Sequence, residues 1–224
     1  MENDQVSSVA KSQVAAIVLA AGQSRRMGRP KSALPAGGSH TFASRIAETL
    51  EASGLAPIVF VTSTDGTAVL DGALGRWRAR VAVIENPHAE RGQLSTLRCG
   101  LEHLGVAQPA ALVTLIDVPF TTTRTIGDLI AAWHADHAPV VRPSSGVRHG
   151  HPIVIGTEAI HALANADPET HTMRDVLGLF AGRRREIAVD EAWRLADIDT
   201  PAEHEDALRE FMIRARTSDG PDAT

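Results

Sequence analysis

The sequence contains no tyrosine, and aromatic residues make up only 4% of its 224 positions. A core built from it must be aliphatic. It has a single cysteine, Cys99, which excludes an internal disulfide and any zinc cluster made of several thiolates. That usage fits a reducing compartment, and a cytoplasmic location is expected. No apolar run approaches the roughly 20 residues that cross a bilayer, so no membrane partner is expected. A strong charge of one sign is missing too. Lys+Arg is 22 against Asp+Glu 27, a net charge of −5. A mildly acidic chain lacks the basic surface that general nucleic-acid binding needs, so nucleic acid is not an expected partner.

What is present is ordinary for a soluble globular chain: 43% hydrophobic and 22% charged residues. The length suits one domain. Residues 1–13 are polar, with no apolar segment after a basic start, and are expected to form a disordered tail rather than a signal peptide. Residues 217–224 are expected to form a second disordered tail. Residues 14–216 are expected to make a single domain.

Short apolar runs at Val14–Leu19, Pro57–Thr62, Val81–Glu85 and Ala110–Ile116 have the length and composition of strands buried on both faces. Helical spacing separates them. Phe42–Ala52 places Phe42, Ile46 and Leu50 on one side. Leu94, Leu97, Leu101 and Leu104 form a stripe on another helix, and Thr125–His134 predicts a third. Strands alternating with helices imply a three-layer, doubly wound α/β fold of the Rossmann-like kind, with a mostly parallel sheet. The rhythm changes after residue 138. Extended runs at Pro139–Arg142 and Pro152–Ile155 flank a polar loop, and helices follow near Thr157–Asn165 and Met173–Phe180. A late strand at Arg185–Val189 and a closing helix at Pro201–Arg216, N-capped by Thr200, complete the pattern.

The first strand runs into LAAGQSRRMGRPK, residues 19–31. Gly22 and Gly28 allow close backbone approach, and Arg25, Arg26, Arg29 and Lys31 concentrate positive charge. A polyphosphate needs both. In open α/β sheets ligands bind beyond the carboxyl ends of the strands, where this loop lies. It is not a Walker A loop, because Arg29 and Pro30 stand between Gly28 and Lys31. It also lacks the G-x-G-x-x-G of dinucleotide folds. Asp117 directly follows the Ala110–Ile116 strand, and Asp197 and Asp199 form a second carboxylate pair before the last helix. Asp residues at strand ends also serve as turn formers or caps. Residues 91–98 open the leucine-striped helix, whose N–H groups attract anions. Cys99 on that helix reads as a small packed hydrophobe. The ten histidines show no HExxH spacing.

The loop resembles the L-A-A-G-x-S-x-R-M-G-x-x-K motif of the molybdenum cofactor cytidylyltransferases, in the MobA-like nucleotidyltransferase superfamily. Four later segments agree in order: Asn86-Pro87 with GQLSTLRCGL at 92–101, Ile116-Asp117-Val118-Pro119, Gly150-His151-Pro152, and Asp197-Ile198-Asp199-Thr200-Pro201. Guanylyl-transferring relatives usually carry L-A-G-G, whereas Ala21 matches the cytidylyl branch. Val118 departs from the Gln or Met often found after the Asp. The resemblance implies the fold of the nucleotide-diphospho-sugar transferases and transfer of CMP from CTP to the phosphate of molybdopterin or molybdenum cofactor. It implies nucleotide contacts from Leu19, Ala20, Ala21, Gly22, Ser24, Arg25, Arg26, Lys31, Gly92, Gln93 and Ser95. Lys31 and Arg25 would act in catalysis, Asp117 and Asp199 would hold Mg²⁺ (or Mn²⁺), and Gly150 and His151 would receive the acceptor. A transient complex with a molybdenum hydroxylase is also implied. Other readings stay open: a transferase with another acceptor or nucleotide, an NAD(P)H-dependent oxidoreductase on the same pocket, and a non-catalytic carrier of the pterin.

Overall fold

The computed structural model describes residues 14–146, 148–189 and 195–218. The expected tail at 1–13, and residues 219–224 of the other, lie outside the described residues. Residues 217 and 218 instead complete the last helix.

Among the described residues eight strands form one sheet: β1 (Val14–Leu19), β2 (Ile58–Ser63), β3 (Ala82–Asn86), β4 (Ala110–Leu115), β5 (Val140–Ser145), β6 (Arg148–His149), β7 (Ile153–Gly156) and β8 (Arg185–Ala188). Their order is β3-β2-β1-β4-β7-β5-β6, with β8 also beside β5. β1 pairs in parallel with β2 and β4, β2 with β3, and β5 with β8. β7 is inserted antiparallel between β4 and β5, so the sheet is mostly parallel, as expected. All six residues of β1 and of β4 are buried, which is why these strands read as unbroken apolar runs rather than alternating ones.

Alternate strand residues feed two different cores. Val14, Ala16 and Val18 face helices α1 (Phe42–Ala52), α2 (Thr67–Leu74) and α4 (Thr123–Asp136). Ile17 and Leu19 face α3 (Gln93–Leu104), α5 (Thr157–Asn165) and α6 (Met173–Gly178). This gives the three layers. Leu94, Leu97 and Leu101 of α3 are each no more than 1% exposed, and burying a leucine contributes roughly 1.5–3 kcal/mol. Gly100 lets α3 approach the sheet. A Cβ there would meet Ile17 Cγ2 at 2.7 Å. Cys99 is half-buried against the same core, as its reading as a packed hydrophobe expects.

A third, smaller core bears on function. Met27, Leu34, Phe42, Phe120 and Ile198 are buried together, with Leu208 and Phe211 of α7 (Pro201–Ser218) packed on them. It ties the residue 20–34 loop, the segment after β4 and the start of α7 to one another. α7 begins as its sequence predicts. Glu203 N–H donates to Thr200 Oγ1 at 3.3 Å, while Glu203 Oε2 accepts from the N–H groups of Asp199 and Thr200, each at 2.8 Å. This is a reciprocal cap.

Candidate active site

The loop after β1 folds by using its own polar groups. Ser24 takes a left-handed conformation (φ 48°), uncommon for a residue with a side chain. Its carbonyl accepts from Met27 N–H at 3.0 Å and Gly28 N–H at 3.2 Å. Its hydroxyl accepts from Lys31 N–H at 3.1 Å. Met27 is buried and pins the loop from below. Arg25, Arg26 and Arg29 are thereby left exposed at the crest, and Lys31 turns inward to 8% exposure.

There Lys31 Nζ donates to Asp117 Oδ2 at 2.9 Å and to Asp199 Oδ1 at 2.6 Å. The two carboxylates, 82 residues apart in sequence, therefore lie no farther apart than the sum of those bonds. Arg26 Nη2 donates to the other oxygen of Asp199 at 2.7 Å. The backbone helps to hold the pair, because Ile198 N–H donates to the Asp117 carbonyl at 3.0 Å. Burial pulls the Lys31 pKa down, but the bonds to Asp199 and Asp117 outweigh it and leave the ammonium above its ordinary value. The bond from Lys31 holds Asp199 below the ordinary carboxylate value. Asp117 Oδ1 is buried and has no hydrogen-bond partner among the described residues.

Three cavities adjoin along the carboxyl edge of the sheet. The first, about 440 Å³, lies between the β1 loop and the ends of β2 and β3. Ala20, Ala21, Gly22, Ser24 and Lys31 line it, with Thr62 and Asn86 opposite. The second, about 160 Å³, shares Ala21, Gly22, Ser24 and Lys31 with the first and adds Leu19, Gly92, Gln93 and Asp117. The third, about 390 Å³, shares Gln93 and Leu115 with the second and extends to Gly150, His151 and Asp197. Together they form a groove with Lys31 and Asp117 near its middle. Gly150 is needed for close packing, since a Cβ there would meet the Leu195 carbonyl at 2.8 Å. His151 Nδ1 lies 3.3 Å from the Val113 carbonyl, and burial pulls its pKa below the ordinary imidazole value.

Most residues singled out in the sequence meet in this groove. Four of the implied site residues do not line it: Ser95, Arg25, Arg26 and Asp199, the last meeting it through Lys31. Ser95 is 7% exposed, and its hydroxyl is taken by Asn86 Oδ1 at 3.3 Å and the His88 carbonyl at 3.1 Å. It therefore braces the β3–α3 connection. Arg25 lies exposed on the crest, and Arg26 reaches the groove only through Asp199.

Other lining residues are not among the contacts that the resemblance implies. Thr62 and Asn86 stand at the ends of β2 and β3, the same edge that pointed to the β1 loop. Asp197 lies in the third cavity, with its pKa pushed up to about 6 by partial desolvation and by the charges of Asp117 and Asp199. Arg142, Arg174 and His149 line the same cavity, as does Arg184 from the middle of an arginine run. Its neighbours point elsewhere, Arg183 to Glu158 and Arg185 to Asp136. Among the described residues no helix is long and apolar enough to cross a membrane.

A three-layer α/β domain with a basic glycine loop and paired aspartates along one groove has the build of a nucleotidyltransferase. Residues 16–186 match the MobA-like NTP transferase domain, and the chain belongs to that family. A protein of Opitutus terrae named "probable molybdenum cofactor guanylyltransferase" is 28% identical over 206 residues, covering 87% of this chain and 94% of that one. The solved structure of Rv0371c from Mycobacterium tuberculosis is 25% identical with a TM-score of 0.72, over 88% of this chain and 97% of that chain. A nucleotidyl transferase from Methanothermobacter has the same fold at 19% identity, TM-score 0.75, over 90% and 98% of the two chains.

Proposed function

We propose that this chain transfers CMP from CTP to the terminal phosphate of molybdopterin or molybdenum cofactor and releases pyrophosphate. The observation that carries the reading is the buried Lys31 ammonium between Asp117 and Asp199, in the middle of a groove with a cavity to either side. The first cavity suits the nucleotide, and the third suits the acceptor. Arg142, Arg174 and Arg184 give the third cavity cationic side chains for an anionic molecule, with Glu186 paired to Arg142.

Lys31 and the crest arginines would neutralise the triphosphate. Lys31 would stabilise charge on the transferring group. An oxygen of the pterin phosphate attacks the α-phosphorus, the bond from that phosphorus to the pyrophosphate oxygen breaks, and pyrophosphate leaves. A phosphate nucleophile is already ionised near neutral pH, so no residue need take a proton from it. The residues present fit a hard divalent cation. Asp117 and Asp199 supply oxygen donors side by side, and Asp117 Oδ1 is buried without a partner among the described residues. Mg²⁺ or Mn²⁺ held there would screen the phosphates and polarise the transferring group.

The choice of CTP rests on Ala21. It is buried, and it lines both the first and second cavities. A glycine there, as in L-A-G-G, would leave more room for a purine. The Opitutus terrae relative's name points to guanylyl transfer, so the nucleotide is what the experiment must read. Protein, Mg²⁺ and molybdopterin are incubated with each nucleoside triphosphate in turn, and pyrophosphate is measured. CTP should be used at least about tenfold better than GTP, a difference of roughly 1.4 kcal/mol. Preference for GTP would overturn the base assignment, and release with neither would overturn the transfer. A transient complex with a molybdenum hydroxylase, which would take the product, belongs to the same reading.

A further inference from the structure

The arrangement that marks the site also sets two cationic side chains against a free metal ion. Three of the four carboxylate oxygens of Asp117 and Asp199 are occupied by cationic side chains: Asp117 Oδ2 and Asp199 Oδ1 by Lys31, and Asp199 Oδ2 by Arg26. A divalent ion binds such oxygens at roughly 2.1 Å. An ion there would stand close to the ammonium that already donates to the same carboxylates, and two cations held that close repel each other strongly. The remaining oxygen, Asp117 Oδ1, is buried.

We propose that Lys31 and Arg26 form a cation lock that keeps a divalent ion off the two aspartates until an anionic substrate draws the lock away. Lys31 lines the first and second cavities, so a polyphosphate lying along the loop offers its ammonium new oxygens. Arg26 is 70% exposed and is free to turn toward the same ligand. Once both have moved, the aspartates face each other without a counter-ion, and their repulsion favours a metal. Substrate binding therefore comes first and metal binding second. The lock rests on the proposed function for the identity of that substrate and for the metal.

The test reads binding, not turnover. Mn²⁺ is titrated by electron paramagnetic resonance into the full-length protein without nucleotide, for wild type, Lys31→Met, Arg26→Ala and Lys31→Met/Asp117→Asn. Lys31→Met should bind Mn²⁺ at least about tenfold more tightly than wild type, Arg26→Ala should lie between them, and Asp117→Asn should cancel the gain. Arg26 is on the surface, so its variant reads the lock even where Lys31→Met fails to fold. Equal Mn²⁺ affinity in wild type and both lock variants would overturn the proposal. A second arm titrates CTP into wild type in EDTA. Binding without metal supports the order, and binding only after Mn²⁺ saturation overturns it. If CTP binds in neither condition, the proposed nucleotide is wrong and the Mn²⁺ arm alone decides the lock.

Discussion

At position 31 an ammonium lies between two carboxylates, while at position 29 a guanidinium stands in solvent. The two residues are alike in charge and close in sequence, yet the loop turns one inward and leaves the other outside. Lys31→Ala should therefore lower transfer by roughly 10²-fold or more, the size of effect seen when a preorganised electrostatic group is removed. Arg29→Ala should change it little. Steady-state pyrophosphate release compares them, and small, equal effects would reduce the loop to a basic surface turn.

Asp197 yields a prediction in pH. Asp197 is exposed, but partial desolvation, and then the charges of Asp117 and Asp199, push its pKa up to about 6. The fold favours its protonated form, so this contribution to stability is complete below the ordinary carboxylate value and is lost as pH rises through about 6. Asp197→Asn should match wild type in thermal stability near pH 4 and exceed it above pH 7. The gain should be at most about 1 kcal/mol because the side chain is exposed and screened, or ~3 °C in Tm. A variant less stable than wild type above pH 7 would contradict this. At this scale the sequence is only partly legible. Lys31, Asp117 and Asp199 can be picked out by type and place. Whether Ser95 faces the groove or the Asn86 side chain depends on how α3 is rotated, and spacing alone does not set that rotation. Asp197 and Asp199 alternate along the chain, and their different surroundings come from the fold.

Among the elements, α3 joins core and site. Its leucine stripe fixes its rotation on the sheet, and its first turn carries Gln93 into the groove. The contact at Gly100 limits that packing. Gly100→Val must displace Ile17 Cγ2 or lift the helix, and should cost about 1–3 kcal/mol by overpacking. Chemical denaturation would measure it, and unchanged stability would mean that α3 sits farther from β1 than the structure places it. The stripe is readable because leucines three and four residues apart fit one face of a helix and neither face of a strand. α2 has no such signal. It is eight residues long and includes Gly72, so its helical spacing rests on Leu70, Ala73 and Leu74 alone. The insertion of β7 between β4 and β5 is also hidden, since strand order is a long-range property that no local pattern encodes.

Over the whole molecule, the topology builds the groove. Parallel strands β1, β2, β3 and β4 all deliver their following loops to one edge, and the small core around Phe42, Phe120 and Ile198 closes α7 onto that edge. The fold class is legible because alternating buried strands and helices admit few other architectures. The joining of Asp117 to Asp199 is legible only through the resemblance. One measurement tests the central claim, that these residues act as one transfer unit. Pyrophosphate release is followed in wild type, Asp117→Asn, Asp199→Asn and the double variant, with folding checked by circular dichroism. Each single change should abolish most transfer, and the double should lose little more than either alone, as for groups that work together. Two small losses that multiply in the double variant would mean that the aspartates act separately, and would contradict the account.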